Sequence, residues 1–220
     1  MQVPWLSPDA RVAPMIRSAR PLPSEPPGSV REITVGATLD DASLVTRARE
    51  GDRWAEEALY QRHVAYVMGM VIRLLGSRDE AEDIVQETFA IAFDRLSTIR
   101  QADSVRAWFA QIAVSQVRRK LRRARLLSRL GLHPPPDPVE LDSLAIREAD
   151  AETLAELAAI GRALSTISIN DRLAWALRFV DGEPIAEVAR LCGCSLATAK
   201  RRIAAAAKHL EHHLAARGSP

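Results

Sequence analysis

Apolar residues recur at every third or fourth position along most of the chain, which is the spacing of one face of an α-helix. This pattern runs through residues 40–130 and again through residues 151–215. Neither stretch shows the sustained alternation of apolar and polar residues that a half-buried strand requires. The pattern predicts an all-α fold, with two small helical domains joined by a flexible linker.

Capping residues predict where the helices of the first domain begin and end. Gly76 is expected to end a long helix, and Ser77 with Glu80 forms a capping box that opens the next one. The last helix of this domain is expected to begin near Asp103 or Ser104. It carries an aromatic start and a strongly basic second half.

The second domain contains the pattern of a helix-turn-helix. Residues 184–191 form the first helix of the motif, and residues 192–194 form its turn. Gly193 permits the positive φ of that turn, and the small side chain of Ala189 lets the two helices cross closely. Ser195 is expected to cap the second helix, whose basic residues point to DNA as a ligand.

Proline residues mark the expected domain boundaries, because proline interrupts helices. They are frequent before residue 28 and between residues 134 and 138, and they are absent from residues 39–133. The predicted organisation is a disordered proline-rich arm (1–38), a first helical domain (39–130), an acidic linker (131–150) and a helix-turn-helix domain (151–216).

Charge is separated along the chain although the formal net charge is only +2. A basic block lies in the last predicted helix of the first domain, and it contains no acidic residue. Its members are Arg118, Arg119, Lys120, Arg122, Arg123, Arg125 and Arg129. Residues 137–156 are acidic instead, with Arg147 as their only basic residue. A basic block of this kind suits a polyanion such as nucleic acid.

The sequence also argues against several classes of protein. It has no apolar run long enough to cross a bilayer and no signal peptide, so we expect a cytoplasmic protein without membrane insertion. It contains no phosphate-binding glycine loop and no motif of an activated nucleophile, so we expect neither an enzyme nor a cofactor. Cys192 and Cys194 could join the histidines near the C-terminus in a metal or redox site. Both cysteines occupy core positions of the helix-turn-helix, where a thiol serves as a small apolar side chain. We prefer this interpretation to metal binding, so no metal site is predicted.

Four motifs in order resemble one family. These are AEDIVQETF at 81–89, AWFAQIA at 107–113, LRFVDG followed by EVA between 177 and 189, and TAKRRI at 198–203. They are similar to the recurrent sequence motifs of extracytoplasmic-function (ECF) sigma factors of the sigma-70 family. The resemblance spans about 40–215 and implies a subunit that binds core RNA polymerase, recognises and melts promoter DNA, and starts transcription. It also implies an anti-sigma factor as a partner.

The resemblance implies a role for three sets of residues. The residues that would dock on core polymerase are Asp83, Gln86 and Glu87. The residues that would bind the minus-ten element are Trp108, Ser115, Arg118, Arg119 and Arg122. The residues that would bind the minus-thirty-five element are Ser195, Thr198, Lys200, Arg201 and Arg202. The acidic linker would lie toward the RNA exit path, where its charge resembles that of RNA.

This chain also departs from the family pattern at both predicted DNA-binding helices. Ser115 stands where the family usually has Asn. Two arginines that are expected to contact the DNA backbone near the minus-thirty-five element are absent. Two alternatives remain at the level of the sequence. One is a stand-alone helix-turn-helix regulator, which would dimerise and bind duplex DNA without polymerase. The other is a helical adaptor that titrates a regulator and does not need DNA.

Overall fold

The computed structural model describes residues 39–99, 105–132 and 160–215, and within these residues it contains helices and no strand. The helices of the N-terminal group are α1 (Asp41–Arg49), α2 (Arg53–Leu75), α3 (Arg78–Asp94) and α4 (Val105–Arg129), with a short 3-10 turn at Leu96–Thr98. The C-terminal group contains a helical segment at 160–166, then α5 (Ile169–Phe179), α6 (Ile185–Leu191) and α7 (Leu196–Ala215). The predicted all-α fold is confirmed. The proline-rich arm, most of the acidic linker and residues 100–104 lie outside the described residues.

Local capping signals in the sequence explain where these helices begin and end. Ser77 accepts a hydrogen bond from the backbone N–H of Glu80 and so caps α3, as predicted. Gly76 ends α2 with a φ of 85°, and Gly193 has a φ of 60° in the turn between α6 and α7. Positive φ is costly for residues with a Cβ, so glycine at these two positions lets the chain reverse without strain.

An aromatic cluster forms the centre of the N-terminal group. The ring of Phe109 on α4 is fully buried and lies 4.9 Å from the ring of Phe89 on α3, measured between centroids. The imidazole of His63 on α2 lies 5.4 Å from the same ring. Three helices therefore meet at Phe109, which fixes α4 against α2 and α3.

His63 is a buried polar residue in this core, and it gives the fold a pH dependence. Its Nε2 lies 3.0 Å from Oδ2 of Asp41, but burial lowers its pKa below the ordinary value more than Asp41 raises it. The unfolded chain therefore binds a proton at this site more readily than the folded chain. We expect the free energy of unfolding, measured by urea denaturation, to fall as the pH drops through the ordinary histidine range. His63→Gln should flatten that dependence, and an unchanged slope would contradict this explanation.

The C-terminal group has its own apolar core. Leu173 and Leu177 of α5 pack with Val188 of α6 and with Ala199 and Ile203 of α7, and all five are buried. The predicted helix-turn-helix is formed by α6 and α7. Cys192 is buried, as expected for a core thiol, whereas Cys194 is only partly buried.

The two groups of helices lie in direct contact. Helix α4 packs against α5 and α6, and α2 also packs against α5. The sequence indicated two domains joined by a linker and did not predict this contact. It determines which residues of α4 are exposed.

Candidate DNA- and polymerase-binding surfaces

Helix α3 presents the acidic surface that the sequence predicts. Asp83 and Gln86 are exposed, and the side chain of Glu87 is 40% exposed. Glu87 forms an ion pair with Arg119 of α4. Because the opposite face of α3 buries Val85 and Ala92, the acidic residues lie off the core and can meet a basic partner without unfolding the helix.

Helix α4 carries two different polar stripes. Trp108, Ser115, Arg119 and Arg122 lie within about 60° of one another around the helix axis, at 3.6 residues per turn. Ser115, Arg119 and Arg122 are exposed and Trp108 is half-buried. The structure therefore brings four of the five residues predicted for the minus-ten element onto one surface, which we call the outer stripe.

Arg118, the fifth residue of that set, belongs to a second stripe with Gln111 and Arg125. These three residues are spaced by seven positions and point toward the C-terminal group. Arg118 donates from Nη2 to the carbonyl oxygen of Cys192 at 2.9 Å. Gln111 donates from Nε2 to the carbonyl oxygen of Arg190 at 3.3 Å. We call this set the inner stripe. The sequence shows the spacing of its three residues, but it does not show which carbonyl groups they bind.

The inner stripe caps the ends of helices in the other group. Arg125 donates to the carbonyl oxygens of Thr166 at 3.2 Å and Ile167 at 3.1 Å, at the C-terminal end of the helical segment 160–166. Cys192, the partner of Arg118, is the C-terminal cap of α6. The last carbonyl groups of a helix lack partners within it and carry partial negative charge, so guanidinium groups bind them well.

Arg73 and Asp181 form a further contact between the two groups. Arg73 of α2 donates from Nε to Oδ1 of Asp181 at 2.6 Å. The Asp181 side chain is only 4% exposed, and its Oδ2 is buried without a hydrogen-bond partner. Burial raises the pKa of Asp181 to about 6, although Arg73 opposes this rise. Sequence reasoning missed this pair, because Asp181 resembles an ordinary turn residue before Gly182.

Helix α7 presents most of the residues predicted for the minus-thirty-five element on one exposed face. The Ser195 hydroxyl accepts a hydrogen bond from the backbone N–H of Thr198 at 3.2 Å, and the two hydroxyl oxygens are 2.9 Å apart. Arg201 is exposed and Arg202 is half-buried beside them. Lys200, two positions after Thr198, lies on the other side of the helix. The structure brings four of the five predicted residues together.

Within residues 39–99, 105–132 and 160–215, no three residues of the types His, Cys, Asp and Glu form a group that could hold a metal ion. His209 and His213 stack on one face of α7, and Nε2 of His209 lies 2.8 Å from the Thr166 hydroxyl. Burial raises the pKa of Cys192, which makes its thiolate scarce. None of the helices in the described part of the chain has the length and apolar character needed to cross a membrane.

Two parts of the chain match known families. Residues 59–126 match Sigma-70 region 2, and residues 157–210 match Sigma-70, region 4. The first match includes the acidic surface of α3 and both stripes of α4. The second includes α5, the helix-turn-helix and the exposed face of α7.

Individual relatives agree with these matches. The chain is 31% identical over 159 residues to the ferric citrate uptake sigma factor FecI of Escherichia coli, covering 70% of this chain and 87% of FecI. It is 28% identical over 170 residues to the ECF RNA polymerase sigma factor SigM of Mycobacterium tuberculosis, covering 77% of this chain and 82% of SigM. The solved structure of CnrH with the cytosolic domain of CnrY is similar, with a TM-score of 0.52, 25% identity, and coverage of 80% of this chain and 97% of that one. The chain therefore belongs to the sigma-70 family as an ECF sigma factor, a subunit that directs promoter recognition and the initiation of transcription.

Proposed function

We propose that the three polar surfaces divide the work of this sigma factor among them. The acidic surface of α3 docks on core polymerase, the outer stripe of α4 binds the minus-ten element, and the exposed face of α7 binds the minus-thirty-five element. The first two belong to a region 2-like domain over residues 39–130, and the third belongs to a region 4-like domain over residues 151–216. The observation that carries the proposal is that each surface is exposed while the opposite face of its helix is buried.

The acidic surface suits a basic partner. Asp83 and Gln86 have no part in the buried core, and Glu87 already binds a guanidinium group, that of Arg119. Carboxylates bind arginine through strong, charge-assisted hydrogen bonds, so exposed Asp83 and half-exposed Glu87 suit a basic group of another protein. We therefore assign Asp83, Gln86 and Glu87 to the contact with core polymerase.

The outer stripe combines an aromatic ring, a hydroxyl group and two guanidinium groups along one line. Arg119 and Arg122 can neutralise phosphates, Ser115 can hydrogen-bond a base or a phosphate, and Trp108 offers a flat ring for stacking. That combination suits DNA whose strands have been separated, because stacking on a side chain requires an unpaired base. We assign these four residues to the minus-ten element.

The exposed face of α7 has the chemistry of a recognition helix. Arginine can form paired hydrogen bonds with guanine in the major groove, and hydroxyl groups near a helix N-terminus can bind phosphate. Arg201 lies opposite the buried residues Ala199 and Ile203, so it extends furthest from the core. Lys200 faces another direction and is assigned a phosphate contact only.

Replacing Arg201 or Arg202 with Ala should weaken the discrimination between minus-thirty-five sequences by about 1–3 kcal/mol for each paired base contact that is lost. Lys200→Ala is the matched control, and it should weaken binding to all upstream sequences alike. The measurement is the affinity of the reconstituted holoenzyme for a set of promoter fragments that differ only in the minus-thirty-five element. Uniform losses for Arg201→Ala and Arg202→Ala would show that these residues contact the DNA backbone.

The remaining proposals concern location, catalysis and regulation. The chain works in the cytoplasm with RNA polymerase, and the polymerase, not this subunit, catalyses RNA synthesis. CnrH was solved with the cytosolic domain of CnrY, and the similarity to CnrH supports an anti-sigma factor as a partner of this chain.

A further inference from the structure

The C-terminal end of α4 exposes a group of leucine side chains that belongs to neither stripe. Among the described residues four large apolar side chains are exposed, and three of them lie here: Leu126 at 58%, Leu130 at 62% and Leu132 at 67%. We call these three residues the leucine tip. A single exposed leucine is ordinary in a folded protein, but several at one place indicate a surface that binds something.

Backbone hydrogen bonds hold the leucine tip together. The N–H of Leu130 donates to the carbonyl oxygen of Leu126 at 3.1 Å, so Leu130 continues the last turn of the helix. Gly131 then adopts a φ of 69°, and the N–H of Leu132 donates back to the carbonyl oxygen of Leu127 at 3.0 Å. In this pattern a glycine ends a helix and folds the chain back over its last turn. The three leucines therefore stay close to one another.

Exposed arginines flank the leucine tip. At 3.6 residues per turn, Arg123 and Arg129 lie about 60° to either side of Leu126 around the helix axis. Arg122 lies one turn before Leu126 on the same face. All three arginines are exposed, and the sequence has no acidic residue between positions 117 and 132. The surface is therefore apolar at its centre and positively charged at its edges.

We propose that the leucine tip and its flanking arginines bind the surface of a membrane that contains anionic phospholipids. The leucines enter the boundary between headgroups and acyl chains, and the arginines stay at the headgroups, where they bind phosphate groups. The chain then lies on the membrane surface through the end of one helix and does not cross the bilayer. This inference goes beyond the proposed function and does not depend on it.

Charge and size favour a lipid surface over other occupants. A second copy of the chain would bring two sets of arginines together, and these repel each other. A specific protein partner usually covers about 800 Å² and about 20–30 residues on each side, whereas the tip and its arginines are six residues. A lipid surface has no such minimum, because each leucine and each arginine adds to the affinity. DNA would bind the arginines but would leave the leucines in water.

The test measures binding of the full chain to large unilamellar vesicles by flotation. Vesicles of equal parts phosphatidylcholine and phosphatidylglycerol should bind the chain. Vesicles of phosphatidylcholine alone should bind it far more weakly, because three leucines without electrostatic attraction give little affinity. Binding to the anionic vesicles should weaken as salt is added, because salt screens the charges of the arginines and the lipids.

Two double variants separate the contribution of the leucines from that of the arginines. Leu126→Gln with Leu130→Gln should lower the affinity for anionic vesicles by about tenfold, because glutamine maintains the helix but is polar. Arg123→Gln with Arg129→Gln should lower it by about 30-fold at low salt. Leu196→Gln is the matched control, because it replaces an exposed leucine on α7, and it should leave the affinity unchanged. Circular dichroism checks that each variant is folded.

Three outcomes would overturn the proposal. The first is a wild-type chain that does not bind the anionic vesicles. The second is a loss in the arginine variant alone, which would show that the attraction is purely electrostatic and that the leucines do not enter the membrane. The third is a leucine variant that binds vesicles normally but binds core polymerase or single-stranded DNA more weakly, which would assign the tip to one of those interfaces. The vesicles contain neither polymerase nor DNA, so their result is independent of the surfaces assigned under the proposed function.

Discussion

Reversal of Asp83 and Glu87 to Arg should lower the affinity of this sigma factor for bacterial core RNA polymerase by at least about 30-fold, or about 2 kcal/mol. Both carboxylates lie on the exposed face of α3, opposite the buried residues Val85 and Ala92, so the helix should still fold. Reversal replaces two attractive charges with two repulsive ones at a surface assigned to a basic partner. The affinity is measured by titrating labelled core polymerase, and thermal unfolding checks the fold.

A second pair of acidic residues provides the control for net charge. Glu50 and Glu57 are exposed; Glu50 is the C-terminal cap of α1, and Glu57 lies on α2. Their reversal changes the total charge of the chain by the same amount, but it should leave the affinity for polymerase nearly unchanged. Equal losses in the two double variants would mean that polymerase responds only to overall charge, and the assignment of α3 would then be wrong.

Phe109→Ala should lower the free energy of unfolding of the N-terminal helices by about 3–5 kcal/mol. Its ring is fully buried and contacts the rings of Phe89, Phe93 and Trp108 as well as His63. Removal of the ring leaves a cavity where three helices meet, and rigid helices cannot close it without separating from other contacts. The measurement is urea denaturation followed by circular dichroism.

Phe93→Ala is the comparison for this effect. Phe93 belongs to the same aromatic cluster but is only partly buried, so its loss removes less apolar surface from the core. We expect a smaller change in the free energy of unfolding. A loss for Phe109→Ala no greater than that for Phe93→Ala would show that Phe109 is not the centre of the core.

The sequence predicted the helices well because their signals are local. Gly76, Ser77 and Gly193 act on neighbouring backbone groups, and the structure confirms the role of each. The apolar spacing of α2 identifies its core-facing side less accurately. Val64 and Met68 follow that spacing but are only partly buried, whereas His63 lies in the core. A histidine can occupy that position because Asp41 offers it a partner, and a periodicity of apolar residues does not detect such a pair.

The contact between the two helix groups could not be predicted in the same way. It depends on side chains that bind backbone carbonyl groups far away in the sequence, such as Arg118 with Cys192. Every helix end offers carbonyl groups of this kind, so the sequence does not show which arginine binds which helix. The Arg73–Asp181 pair has the same origin, because its two members lie 108 positions apart in the sequence.

The ion pair between Glu87 and Arg119 links two of the surfaces assigned above. A basic group of polymerase that binds Glu87 competes with Arg119, and the guanidinium group that is released becomes available to a DNA phosphate. Under the proposed function, the two binding events share one internal bond and are therefore thermodynamically coupled. Coupling of this kind is reciprocal, so polymerase should strengthen DNA binding by the same factor by which DNA strengthens polymerase binding. A single bond between α3 and α4 would thus favour assembly of the complete initiation complex over either partial complex.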